Sequence, residues 1–211
     1  MKLTEAKLKK LINEVLEEGM NTASMLPDDV YILIMRRSTG LYVVAFANEE
    51  GEVIMPWTLE GVENDVYGDV SFYTKSYDGE PCGGGSIIAV TEAADGWGPL
   101  LYDIAMEAAT IMTKGLAPDR NIVSDDASEV WDYYDQNRTD VKKKQLDDEY
   151  GSLTPDDPDD DCGQESARDR SYKMEDWSKS SLSRMYSKDP TTLNQLRNAG
   201  KLILKRVTLD F

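Results

Sequence analysis

The 211 residues are 40 % apolar and carry 40 acids against 23 bases, a formal charge of −17 with no histidine. That charge disfavours nucleic acid and anionic membrane as partners and favours solubility or a basic partner. Without an imidazole, Ser–His and Cys–His nucleophile systems are excluded, and two cysteines alone cannot complete a zinc site, so no metal is expected.

No stretch of about eighteen apolar residues exists, so no membrane span is expected. The start of the chain is charged and amphipathic rather than apolar, which argues against a secretion signal and for a cytoplasmic protein. Cys82 and Cys162 lie far apart with no partner pattern, and read as free thiols of a reducing compartment.

Residues 4–18 predict an amphipathic helix. Thr4 can cap it, Leu3 and Leu8 are spaced as a hydrophobic staple, and Leu8, Leu11, Ile12, Val15 and Leu16 make one stripe. The stripe either packs on its own domain or docks a protein partner, because a polar segment from Gly19 to Ser24 follows it. This sets residues 1–24 apart from a main domain over 25–211. Strands are then expected at Val30 to Met35, Leu41 to Ala47 and Glu52 to Met55, separated by turn residues at 37–40 and 48–51. An acidic connection at 60–65 leads to another strand at Val70 to Tyr73, and a glycine-rich loop follows at 77–85.

The stretch from Ser86 to Met112 organises the rest. Ile87 to Val90 has strand character, and a helical pattern runs from Leu100 through Ile104, Ala105, Ala108, Ile111 and Met112. Between them stands Asp95-Gly96-Trp97-Gly98-Pro99, with the proline suited to the first helical position. A strand feeding a glycine turn and a helix N-terminus presents unpaired N–H groups and can seat an anion. The same joint also occurs with no ligand, and no Lys or Arg lies between Lys75 and Lys114 to assist one.

Residues 114–122 read as a connection or short strand. Ser124 caps a further helix with Asp125 and Asp126 in its first turn, and Ala127, Val130, Trp131 and Tyr134 share its core face. Val141 to Tyr150 reads as another helix with a solvated lysine face. The run Asp156 to Asp161 lies in an acidic loop within an excursion over about 147–198, and lacks the ligand spacing of an EF-hand. A weak helix is expected at 176–186, another after Pro190 ending at Gly200, and a final strand over 201–211.

This order predicts an α+β (mixed α/β) fold with a single, mostly antiparallel central sheet flanked by helices. Residues 86–137 resemble the cofactor half of a GNAT-type N-acyltransferase. In that family a central strand ends at a Q/R-x-x-G-x-G/A turn whose amides hold the pyrophosphate of acetyl-CoA, and a strand and an N-x-x-A-x-x-L-Y-like helix follow. Gly96-Trp97-Gly98 matches the G-x-G part, and Ser124 to Ala127 with Val130-Trp131 matches the second helix. Here the basic residue that opens the turn is Ala93, and the family's general-acid tyrosine falls on Trp131.

The resemblance implies acyl transfer from acetyl-CoA to an amine. Amides at Gly96, Trp97 and Gly98 would hold the cofactor, with Val90 and Glu92 at the splayed strand end. Glu92 would take the amine proton, or else is a solvated strand end. Tyr134 would be the substitute acid, or else a core residue. The opening helix also resembles segments of tailed-bacteriophage proteins, with Ile12-Asn13-Glu14 similar to an I/L-x-E prohead-protease site. That implies a host-cytoplasmic or virion-associated binding protein without catalysis. The charge alone implies a third class, an acidic decoy of a basic protein.

Overall fold

A computed structural model describes residues 20–58, 61, 63–74, 82–148, 153–165 and 177–211. The expected helix at 4–18 lies outside them. Among the described residues, eight strands form one mixed sheet in the order β6-β7-β5-β4-β3-β2-β1-β8. Strands β1 (Tyr31–Arg36), β2 (Leu41–Ala47), β3 (Gly68–Tyr73) and β4 (Ser86–Ala93) form an antiparallel meander. β5 (Leu116–Ala117) runs parallel to β4, and β8 (Leu202–Lys205) runs parallel to β1. Among the described residues, three helices pack with this sheet: α1 (Gly98–Met112), α2 (Asp125–Gln136) and α3 (Thr191–Asn198). No helix among the described residues is long and apolar enough to cross a membrane.

Four sequence expectations are corrected. Residues 52–55 make only an isolated bridge, Val53 to Ala47, because β3 takes the same edge of β2 over Leu41 to Ala45. Residues 141–150 do not begin as a helix. Val141–Gln145 is β6, with Val141 buried and Lys142 and Lys143 turned to solvent on an edge strand that lysines suit. Within the segment expected as a weak helix, Ser181–Ser183 is a single 3-10 turn and Arg184–Lys188 is β7, inserted between β5 and β6. The segment expected as an excursion over about 147–198 thus contributes the strand Arg184–Lys188 to the sheet. The last strand stops at Lys205, where Arg206 turns into the left-handed region at φ 59°.

The main core gathers Ile32, Phe46 and Phe72 from the sheet with Leu101 and Ile104 of α1, Trp131 of α2 and Leu193 of α3. Each such aliphatic side chain contributes about 1.5–3 kcal/mol by leaving water. A smaller apolar cluster holds Cys82, Ile87, Ala117, Leu146, Cys162 and Met185. There the two cysteines, 80 residues apart, are joined as a disulfide with Cα atoms 4.6 Å apart. The expectation of free thiols is overturned, and the argument from them to a reducing compartment goes with it. The pairing joins a turn before β4 to the acidic stretch after β6, a contact that spacing could not reveal.

Helix α1 is buried nearly all round, and this includes Glu107, which has no solvent exposure. Its carboxylate accepts the N–H groups of Thr192 (2.9 Å) and Leu193 (2.7 Å) in the first turn of α3, and it pairs with buried Lys188. Lys188 also donates to the hydroxyls of Thr191 (2.9 Å) and Thr192 (3.0 Å). A carboxylate thus caps the positive end of α3 and neutralises the amine beside it.

Candidate functional site

β4 has β3 along one side for its whole length, but pairs with β5 only at Ser86–Leu116 and Ile87–Ala117. After β5 the chain leaves at Pro118 towards α2, so among the described residues the β4 edge from Ile88 onward has no strand neighbour on that side. At the same level Ala89 is the extra residue of a bulge, with Ile88 opposite Phe72 and Val90 opposite Ser71. A bulge re-aims the side chains after it.

The parting strands leave a cleft of about 220 Å³ lined by Ile88, Val90, Thr91, Tyr102, Ile122 and Trp131 among others. Val90 and Ile122 are exposed at 60 % and 80 % and flank the opening, with Asp119 and Ser124 also in the lining. Among the described residues, the buried Thr91 hydroxyl has no hydrogen-bond partner. It lies close enough to the Tyr102 hydroxyl to ease that group's ionisation, but outside hydrogen-bonding geometry. Burial is the larger influence and holds the Tyr102 pKa above the ordinary phenol value. An orphaned buried hydroxyl is costly in isolation and marks a place where a ligand atom can bond.

Glu92 stands on the exposed side of the same strand. Its direct cross-strand neighbour is Asp69, half-buried on β3. Val70 and Phe72 point into the main core, so Asp69 and Ser71 take the other face, and Val90 and Glu92 pair with them. Burial raises the Asp69 pKa, the positive charge of Arg37 opposes this, and the charge of Glu92 adds to it. Two carboxylates side by side suit an ammonium ion, and the one with the raised pKa suits a proton acceptor. The strand end is held closely: a side chain at Gly68, where φ is +135°, would lie 2.4 Å from the Glu92 carbonyl oxygen.

At the glycine turn the three predicted amides are not equivalent. The Trp97 N–H already donates to the Ala94 carbonyl (3.1 Å), and the Trp97 indole is buried edge-on against Phe46, with ring centroids 5.4 Å apart. Gly96 holds φ +78°, and its carbonyl accepts the Asn21 N–H (3.0 Å). Among the described residues, the N–H groups of Gly96, Gly98 and Leu100 donate to no backbone carbonyl. The proline stands second in α1 rather than first. The turn therefore presents donors, but fewer than the sequence suggests.

Tyr134 is fully buried and outside the cleft lining. Its hydroxyl donates to Asp103 (2.5 Å), with the Pro99 carbonyl at 3.1 Å. Arg138 grips Asp103 through two N–H groups (3.1 and 3.0 Å) and also pairs with Asp140 (2.7 Å). Burial first, then the charge of Asp103, push the Tyr134 pKa well above the ordinary value. The phenol near the cleft is instead Tyr102, packed edge-on against Trp131 at 5.3 Å. Sequence reading missed Thr91, Tyr102 and Asp69. A threonine within an apolar strand was the one local signal; the others depend on register and on helix rotation.

Tyr102, Tyr134 and Tyr186 all have pKa values raised chiefly by burial. The folded state therefore holds their protons more tightly than the unfolded chain, so stability is full below about pH 10 and declines as pH rises beyond it. A melting-temperature series across that range should fall steeply, with tyrosinate absorbance from these residues appearing only on unfolding. Complete phenol ionisation while the fold persists would contradict the assignment.

A second carboxylate group lies away from the cleft. Oxygens of Asp147, Asp160 and Asp161 come within 4.8 Å of one another. Asp147 accepts the N–H groups of Asp148 (2.8 Å) and Thr154 (2.9 Å), and Thr154 donates its hydroxyl to Asp160 (2.9 Å). These bonds tie the loop to the end of β6.

Compared with protein-family models, with curated proteins and with solved structures, the chain matches none of them.

Proposed function

We propose that the chain is an N-acyltransferase of the GNAT type, moving an acyl group from a coenzyme A thioester to an amine in the cleft between β4 and β5. The observation that carries this reading is the parting of two parallel strands beside the first turn of a helix, with an unpartnered hydroxyl inside. The residues present fit such a group in three respects. The β4 edge from Ile88 offers backbone donors and acceptors to an extended, amide-bearing arm, as an added strand would use them. The N–H groups of Gly96 and Gly98, at the start of α1, donate to no described backbone carbonyl, as a helix N-terminus suited to pyrophosphate requires. The Thr91 hydroxyl lacks a partner that a ligand would supply.

When bound, the thioester supplies an activated acyl carbon. The chain's own part is to attract and deprotonate the acceptor, and the Asp69–Glu92 pair is placed to do so from the outer face of the sheet. Tyr102 keeps its proton at ordinary pH and holds a donor at the cleft. Acetyl-CoA should raise the melting temperature, since a ligand at a hundred times its Kd stabilises the fold by about 2.7 kcal/mol. Gly98→Glu should abolish the shift by placing a carboxylate where pyrophosphate would lie. Asp69→Asn with Glu92→Gln should keep the shift and lose turnover. The absence of any shift at millimolar acetyl-CoA would remove the proposal.

The commitment of Tyr134 to Asp103 favours a second reading, a binding protein of the same type without catalysis. It expects the thermal shift with no acylated product for any amine offered.

A further inference from the structure

A pocket of about 440 Å³ at the β1–β2 turn is lined by Arg36, Arg37, Ser38, Thr39, Lys205 and Arg206, together with Met35. Its lining holds four bases and no acid, in a chain whose formal charge is −17. Two of the bases are partly engaged. Lys205 donates to the carbonyls of Glu50 (3.2 Å) and Gly51 (2.7 Å), and the charge of Arg37 reaches Asp69. Among the described residues, Arg36 and Arg206 pair with no carboxylate. Arg36 lies 5.8 Å from the centre of the Tyr42 ring, and Tyr42 stacks on Phe72, so its guanidinium rests against a fixed surface. Arg206 holds φ 59°, a conformation that residues other than glycine seldom keep.

We propose that this pocket binds a compact, phosphate-bearing anion. Guanidinium groups present paired N–H donors that match phosphate oxygens, and the hydroxyls of Ser38 and Thr39 add neutral donors. The overall charge selects for compactness. A small anion within a screening length of about 8 Å feels the arginines, whereas a long polyanion also meets the acidic remainder of the surface. The site is separate from the acyl cleft. Arg36 aligns through Tyr42 and Phe72 with Ile88 of β4, three strands away, and no residue lines both the pocket and the cleft.

The test is calorimetric titration of the full chain with inorganic pyrophosphate at low ionic strength. Wild type should show saturable binding. Arg36→Gln combined with Arg206→Gln should weaken it at least about tenfold, equivalent to 1.4 kcal/mol. Arg36→Gln alone should weaken it less, and serves if the double variant melts early. Gly98→Glu should retain the binding that the arginine variants weaken, which separates this pocket from the glycine turn of α1. The proposal is overturned by absence of binding at millimolar pyrophosphate, by equal binding in the arginine variants, or by loss in Gly98→Glu alone. A single-stranded oligonucleotide that displaces pyrophosphate at lower concentration would overturn the compact-anion assignment.

Discussion

Glu107→Ala should destabilise the folded protein by roughly 3–5 kcal/mol, the range for breaking a buried ion pair by removing one partner. The substitution leaves the Lys188 ammonium with 3 % exposure and only the longer pairing to Asp103 at 3.6 Å, a carboxylate that Arg138 already shares. It also strips the acceptor from two first-turn N–H groups of α3, at Thr192 and Leu193. Glu107→Gln should cost less, because the amide oxygen can still accept one of those N–H groups while the charge is lost. Urea unfolding of the two variants and of Glu107→Ala with Lys188→Met forms the measurement. The double variant should recover part of the loss, because no uncompensated charge remains buried. A cost for Glu107→Ala below about 1 kcal/mol, the level of an exposed pair, would show that the group is not buried in this way.

Cys82→Ser, or chemical reduction, should cost roughly 4–5 kcal/mol on the chain-entropy relation for a loop of 80 residues. The bond stands in an apolar cluster with Ile87, Leu146 and Met185, so a serine hydroxyl in place of Cys82 also meets few partners. Cys82 has a φ of 36°, a backbone state unusual outside glycine, at the start of the 3-10 turn Cys82–Gly84. Thiol labelling of the unfolded, unreduced chain should find no reactive cysteine, and a reducing agent should lower the melting temperature. Two reactive thiols, with a melting temperature insensitive to reductant, would refute the pairing. Cys162→Ser should match Cys82→Ser closely, since either change removes the same link.

Much of the fold was legible where the signal is local. Leu41–Ala47 was expected residue for residue, and Ser124 caps α2 by accepting the Ala127 N–H (3.3 Å) as its position implied. The strand, glycine turn and helix from 86 to 112 also stood in the sequence, because apolar period and glycine placement are short-range properties. The lysine-rich segment 141–145 misled, since a single buried valine among charged residues suits a helix face and an edge strand equally well. The candidate site was half visible. Val90 and Glu92 follow from strand alternation, but Asp69 becomes the neighbour of Glu92 only through the β3–β4 register, with a bulge between Ser71 and Phe72 to set it.

Residue order alone dictated the mixed α+β character, the strongly acidic surface, the exclusion of imidazole chemistry and the donors at the 95–99 turn. Each depends on composition or on residues within one or two helical turns, where propensity and capping act. Folding settled which groups meet: Cys82 with Cys162, Glu107 with Lys188, and Tyr134 with Asp103 in place of the cleft. It also opened that cleft by ending the β4–β5 pairing at Ile87, and brought Arg36 beside Arg206 across parallel strands. Such contacts join residues 31 to 170 positions apart, and a chain pattern with periods of two or four residues carries no information about partners at that range.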